Sequence, residues 1–88
     1  MRVAKYALEI KSSAQKELDA LDDALFRRID ARVLDLAGNP RPPGCKKLMG
    51  YRNYWRIRVG DWRIVYTIDD GEHVVTVIRV AHRREVYG

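Results

Sequence analysis

The stretch YWRIRVGDWRIVYTI, residues 54–68, decides the fold. Side chains alternate across a strand. Trp55, Ile57 and Val59 therefore point to one face, and Arg56 and Arg58 to the other. After Gly60-Asp61, Trp62, Ile64, Tyr66 and Ile68 share a face, and Arg63, Val65 and Thr67 share the opposite one. A two-residue Gly-Asp connection between such runs predicts a β-hairpin whose register the turn sets. In that register Val59 pairs with Trp62, Ile57 with Ile64 and Trp55 with Tyr66, a continuous apolar and aromatic face. The same register sets Arg58 opposite Arg63, with Arg56 one step along. Like charges opposed across a sheet destabilise it by roughly tenths of a kcal/mol or more. Folding alone gives no reason for three arginines there. An anionic ligand does: guanidinium forks suit bidentate phosphate contacts and stay charged at any working pH.

The rest of the chain frames this hairpin. Residues 3–10 read as a β-strand. Ser12 and Gln15 have capping-box spacing ahead of a helix over about 13–20, whose apolar positions are Ala14 and Leu18, with Leu21 next in the series. Asp22 or Asp23 caps a second helix with the stripe Leu25, Phe26, Ile29, Val33 and Leu36. Gly38 sits where a C-cap glycine belongs, and Asn39-Pro40 ends the segment. The helices form an αα-hairpin. All three prolines lie in the loop 39–44. Strands are predicted at 46–50, 53–59, 62–69 and 73–81, with Asp70-Gly71 as a second two-residue turn. The fold class is α+β: an N-terminal strand, an αα-hairpin, then an antiparallel meander of three or four strands, with the helices on one face.

The 88 residues predict a single domain, 1–88, holding one core. An apolar fraction of 47% and a charged fraction of 33% argue against disorder. No run approaches the roughly 18 apolar residues that a membrane span needs, and the N-terminus carries no secretory pattern. Cys45 is the lone cysteine, so it forms no intramolecular disulfide and no zinc site by itself; a reducing cytoplasm is the expected compartment. The net charge of +5 is unevenly placed. Residues 1–40 hold seven basic and seven acidic side chains, whereas residues 41–88 hold ten basic and five acidic. The segment 41–63 carries Arg41, Lys46, Lys47, Arg52, Arg56, Arg58 and Arg63 against Asp61. Such a concentration attracts polyanions. The C-terminal AHRREVYG adds His82, Arg83, Arg84 and Tyr87. Whether Arg83 shares the face of Arg63 depends on the register of the second turn, which one residue would flip.

At these residues a family pattern emerges. KKLMGYRNYWRIRVGDWRIVYTI followed by VIRVAHRREVY resembles the RelE toxins of the RelE/ParE toxin–antitoxin superfamily. The likeness spans almost the whole chain, including the strand–helix–helix–strand order. The resemblance implies a ribosome-dependent mRNA endonuclease (an mRNA interferase) that inhibits translation by cutting in the A site. The RNA's own 2′-hydroxyl is the nucleophile, the products are a 2′,3′-cyclic phosphate and a 5′-hydroxyl, and no metal or cofactor is needed. It carries the family's catalytic pattern onto Arg58, Arg63, Arg83 and Tyr87, with Tyr87 as general base. Arg56, Lys46, Lys47 and Arg52 would bind RNA or its phosphates. The chain departs from the pattern at Arg56 and Arg58, which are lysines in the best-known RelE, one of them the general acid. Arginine is a poor proton donor in exchange, which leaves His82, Lys46 and Lys47 as candidate acids. The implied partners are the ribosome with its mRNA and a cognate acidic, RelB-like antitoxin in a hetero-oligomer.

The remaining chemistry-bearing residues read as structure. Tyr54, Trp55, Trp62 and Tyr66 at strand spacing belong to a core, although Tyr51 and Tyr54 have the chemistry to stack on RNA bases. His73 flanks a turn, Cys45 has no histidine partner at motif spacing, and Asp22-Asp23 is a helix cap. Two other functions fit the same pattern: a ParE-like poison of DNA gyrase, and a nucleic-acid-binding module without chemistry. The assembled arginines and Tyr87 favour RNA cleavage over both.

Overall fold

A computed structural model describes residues 5–50 and 52–84. The elements run β1 (Ala7–Ile10), α1 (Ser12–Asp19), α2 (Asp23–Asp35), β2 (Lys46–Lys47), β3 (Tyr54–Val59), β4 (Trp62–Asp69) and β5 (Val74–His82). They form one five-stranded sheet in the order β1-β5-β4-β3-β2. The α+β class holds, and the sheet is mixed: β2 to β5 form the antiparallel meander, and β1 joins it parallel to β5. The central hairpin pairs Val59 with Trp62, Arg58 with Arg63, Ile57 with Ile64 and Trp55 with Tyr66, as its turn dictates. Gly60 takes φ +60° as the first central residue of that turn, a backbone that suits a residue without Cβ.

Helices cover the apolar face. Ile29, Val33, Leu36, Ala14 and Leu18 bury against Ile57, Val59, Ile64, Tyr66, Ile68, Val75, Val77 and Val80. Asp22 caps α2, its carboxylate accepting from the Leu25 N–H at 2.9 Å. Buried Tyr66 donates its hydroxyl to the Pro40 carbonyl at 2.6 Å, tying the proline loop to the sheet.

Local chemistry departs from the sequence reading at four places. The Ser12–Gln15 capping box does not form; Lys11 is the N-cap without a side-chain bond, and Gln15 donates to Asp19 instead. Gly38 is not in the left-handed region, and α2 ends on Leu36. The strand expected at 46–50 stops at Lys47, because the Leu48 N–H closes onto the Tyr54 carbonyl and Gly50 and Asn53 turn left-handed. The Asp70-Gly71 turn is four residues long, 70–73: Asp69 pairs with Val74, and His73 takes φ +57°.

A β-bulge in β5 matters most for the site. Val65 pairs with Arg79 but Tyr66 with Val77, which leaves Ile78 over. Before the bulge Val75 and Val77 face the helices; after it Val80 and His82 do, opposite Ile64 and Trp62. The extra residue flips the parity of everything after it. Helix α1 holds the bulged edge where β1 has ended. The Ser13 hydroxyl donates to the Ile78 carbonyl at 3.3 Å, and the Glu17 carboxylate accepts from the Val80 N–H at 2.7 Å and from the Arg79 guanidinium at 3.0 Å.

At the far end of the sheet Asp70 accepts from the Tyr6 hydroxyl at 2.6 Å and from Arg41 at 2.9 Å. The Arg41 bond first, then that of Tyr6, lowers the Asp70 carboxyl from 3.8 to about 2. A carboxyl depressed by folding contributes stability above its unfolded pKa and loses it as pH falls through the folded value. Asp70→Asn is therefore expected to melt below the wild type at pH 6, with the gap closing between roughly pH 4 and pH 2. Parallel thermal melts across that range check this; a gap that persists unchanged at pH 2 would assign it to packing.

Candidate nucleic-acid interface

The sheet's other face is where the arginines collect. On β3, alternation turns Arg56 and Arg58 away from the helices, and on β4 it turns Arg63, directly opposite Arg58. The bulge brings Ala81 opposite Arg63 and gives Arg83 the same parity. The Arg83 N–H donates to the Asp61 carbonyl at 2.8 Å, extending the ladder one step past Trp62 and His82. Arg58, Gly60, Asp61, Trp62, Arg63 and Arg83 line a depression of about 250 Å³. Its acid, Asp61, lies 3.9 Å from the Arg83 Nε, with both side chains about two-thirds exposed, so this ion pair is weak.

Arg56 stands apart. It is 5% exposed, the one buried charged residue among those described, and its Nε has no hydrogen-bond partner among them. Loss of water, then repulsion from Arg58 and Arg63, lowers its pKa. It still holds its proton, because a guanidinium starts so high. Arg56, expected to bind phosphate, is thus nearly closed to solvent on this face.

The other expected residues divide between the two faces. Lys46 pairs with Arg56 and belongs to the arginine side. Lys47 pairs with Trp55, and its ammonium sits 6.0 Å over the indole, on the other side. Arg52 is exposed just before β3, at the end of that strand away from Gly60. His82 faces the helix side with Trp62, the rings edge-on at 5.6 Å, and its Nδ1 accepts from the Arg84 N–H at 3.3 Å. The sheet therefore stands between His82 and the Arg58–Arg63 pair. Arg41, part of the basic segment in sequence, is bound to Asp70 and lies 5.0 Å over Trp55. Tyr87 and Tyr51 lie outside the described residues.

One cation was missed by sequence reading. The Arg28 guanidinium of α2 lies against the hairpin turn, 3.5 Å from where a Cβ on Gly60 would stand. Nothing in the neutral N-terminal half marks it; only the packing of α2 on β3 brings it there. Among the described residues no three His, Cys, Asp or Glu side chains stand together as metal ligands. No helix among them is long and apolar enough to cross a membrane.

Comparison with known proteins follows the same lines. The family model for the ParE toxin of the type II toxin–antitoxin system parDE matches residues 8–87. The Toxin RelE of Mycobacterium tuberculosis is 31% identical over 83 residues, 93% of this chain and 86% of that protein. Among solved structures, the archaeal RelE–RelB complex from Pyrococcus horikoshii has a toxin chain with TM-score 0.80 and 25% identity, covering 93% of this chain and 99% of that one. The intact Escherichia coli RelBE toxin–antitoxin complex matches with TM-score 0.77 and 26% identity, over 88% of this chain and 95% of that one.

Proposed function

The chain belongs to the ParE toxin family of type II toxin–antitoxin systems and is a RelE-type toxin, and on that premise we propose that it cleaves messenger RNA in the ribosomal A site. The observation that carries this reading is the Arg58–Arg63 pair, opposed across the hairpin beside Arg83, with buried Arg56 next along β3 on the same face. Like charges opposed at Arg58 and Arg63, with Arg83 and buried Arg56 on the same side of the sheet, favour a phosphate whose charge grows. In the reaction the RNA 2′-oxygen attacks the adjacent phosphorus, the bond to the 5′-oxygen breaks, and a 2′,3′-cyclic phosphate remains. Arg58 and Arg63 clamp the non-bridging oxygens and offset charge in the phosphorane-like transition state. Arg83 positions the backbone, and Arg56 adds a fixed positive charge from the neighbouring rung. Tyr87, by the family pattern, takes the 2′-proton, its pKa lowered by neighbouring arginines. Lys46 is the candidate acid on the arginine side, and gives its proton to the leaving 5′-oxygen. The step uses no metal ion, as the resemblance implies. Lys47 and Arg52 would serve the flanking RNA or ribosome.

An acidic, RelB-like antitoxin is the partner this reading requires, as in the relatives whose complexes are solved. It would neutralise the basic face while the toxin is held silent in the cytoplasm.

Primer extension on a reporter mRNA in a reconstituted translation reaction tests the proposal. Cuts within A-site codons are expected with ribosomes present, and none on free mRNA. Intact mRNA in both reactions would overturn it. The family description itself, a ParE toxin, favours a second reading, the poisoning of DNA gyrase. That reading predicts accumulation of gyrase-cleaved DNA with whole mRNA.

A further inference from the structure

A second depression, of about 510 Å³, lies on the other side of the Asp61–Arg83 contact. It is lined by Asp61, His82, Arg83 and Arg84. Arg83 and Asp61 thus border both depressions, and His82 turns this one toward the helix side of the sheet. Arg28 stands against Gly60 at the same end. We propose that Arg84, His82 and Arg28 form a second phosphate subsite at the Gly60–Asp61 end, so that single-stranded RNA passes over the sheet end with one phosphate between Arg58 and Arg63 and a flanking phosphate beyond Arg83.

The chemistry selects a phosphodiester strand. Every lining residue of the depression is charged or an imidazole, without the apolar centre that a protein partner's buried core would need. Arg28, Arg83 and Arg84 are exposed, and the one carboxylate lining the depression, Asp61, pairs weakly with Arg83. His82 holds Arg84 by accepting its backbone N–H, and the edge-on Trp62 ring holds His82. The cations therefore continue from one side of the sheet end to the other through Arg83. A backbone-tracking groove on single-stranded nucleic acid has this form.

The subsite rests on the RNA reading above, and its test separates the two. Full-length wild type, Arg63→Gln and the double variant Arg28→Gln/Arg84→Gln would be titrated with non-cleavable 2′-O-methyl RNA. A dinucleotide with one phosphate and a pentanucleotide would be used, each at several salt concentrations. For the double variant, pentanucleotide affinity is expected to fall several-fold, with the log K against log salt slope smaller by about 0.7 per lost contact, while dinucleotide affinity holds. Arg63→Gln is expected to weaken both oligonucleotides. If Arg63→Gln weakens binding and the double variant matches the wild type, the subsite is wrong and the RNA reading stands. If the wild type binds neither oligonucleotide, the subsite is wrong, and the RNA reading is decided by the primer-extension result above. Loss of affinity for an acidic peptide but not for RNA would reassign the patch to a protein partner and overturn the subsite. Arg28 and Arg84 are exposed, so thermal melts of the double variant should match the wild type.

Discussion

Arg63→Ala is expected to lower ribosome-dependent cleavage by about 10²–10³-fold, the loss typical of removing one preorganised donor to a developing oxyanion. Arg58→Ala should do the same, because the two guanidiniums oppose each other across one hairpin rung. Neither change should unfold the protein. Removing Arg58 relieves like-charge repulsion worth roughly tenths of a kcal/mol, so the melting temperature of Arg58→Ala should hold or rise slightly. The double variant is the sharper measurement. If the pair clamps one phosphate as a unit, the double loss will fall well short of the product of the single losses. Full cleavage by both single variants at the wild-type rate would remove these arginines from the site.

Arg56→Met is expected to stabilise the fold and weaken the activity together. The wild-type residue is 5% exposed, its Nε lacks a bond among the described residues, and its charge is repelled by Arg58 and Arg63. Replacing buried charge with an apolar chain of similar length commonly stabilises by about 1–4 kcal/mol. For a domain of this size each kcal/mol raises Tm by roughly 4–8 °C. The charge that opposes folding is the one the proposed transition state uses from the neighbouring rung, so cleavage should fall as Tm rises. Arg56→Lys serves as the companion: it keeps a charge and should keep more of the activity than methionine does. A methionine variant that melts below the wild type would mean the aliphatic stem and remaining guanidinium contacts outweigh the burial of charge.

Several features were legible in the residues because short-range rules decide them. The Gly60-Asp61 turn admits one register, and from it follow the apolar face and the Arg58–Arg63 opposition. Asp22 caps α2 because a carboxylate there meets a free N–H. The Asp70-Gly71 turn was misread because Asp69 bonds the Glu72 N–H and stretches the connection to four residues. The Ser12 cap failed because the helix starts one residue earlier: Lys11 is the N-cap and Ser12 is already the first helical residue.

What the sequence determined by itself was the hairpin, the charge it concentrates and the α+β class, because turn geometry and the two-residue period of a strand act within a few residues. The tertiary structure decided the rest. Parallel pairing of β1 with β5 ends at Val77, which leaves an edge for Ser13 and Glu17 to hold in a bulge. That one extra residue brings Arg83 to the arginine side and sends His82 to the other. Packing of α2 brings Arg28 to the turn, and tertiary burial closes Arg56 off from solvent. These outcomes depend on groups dozens of residues apart reaching the same place, and no local spacing encodes that.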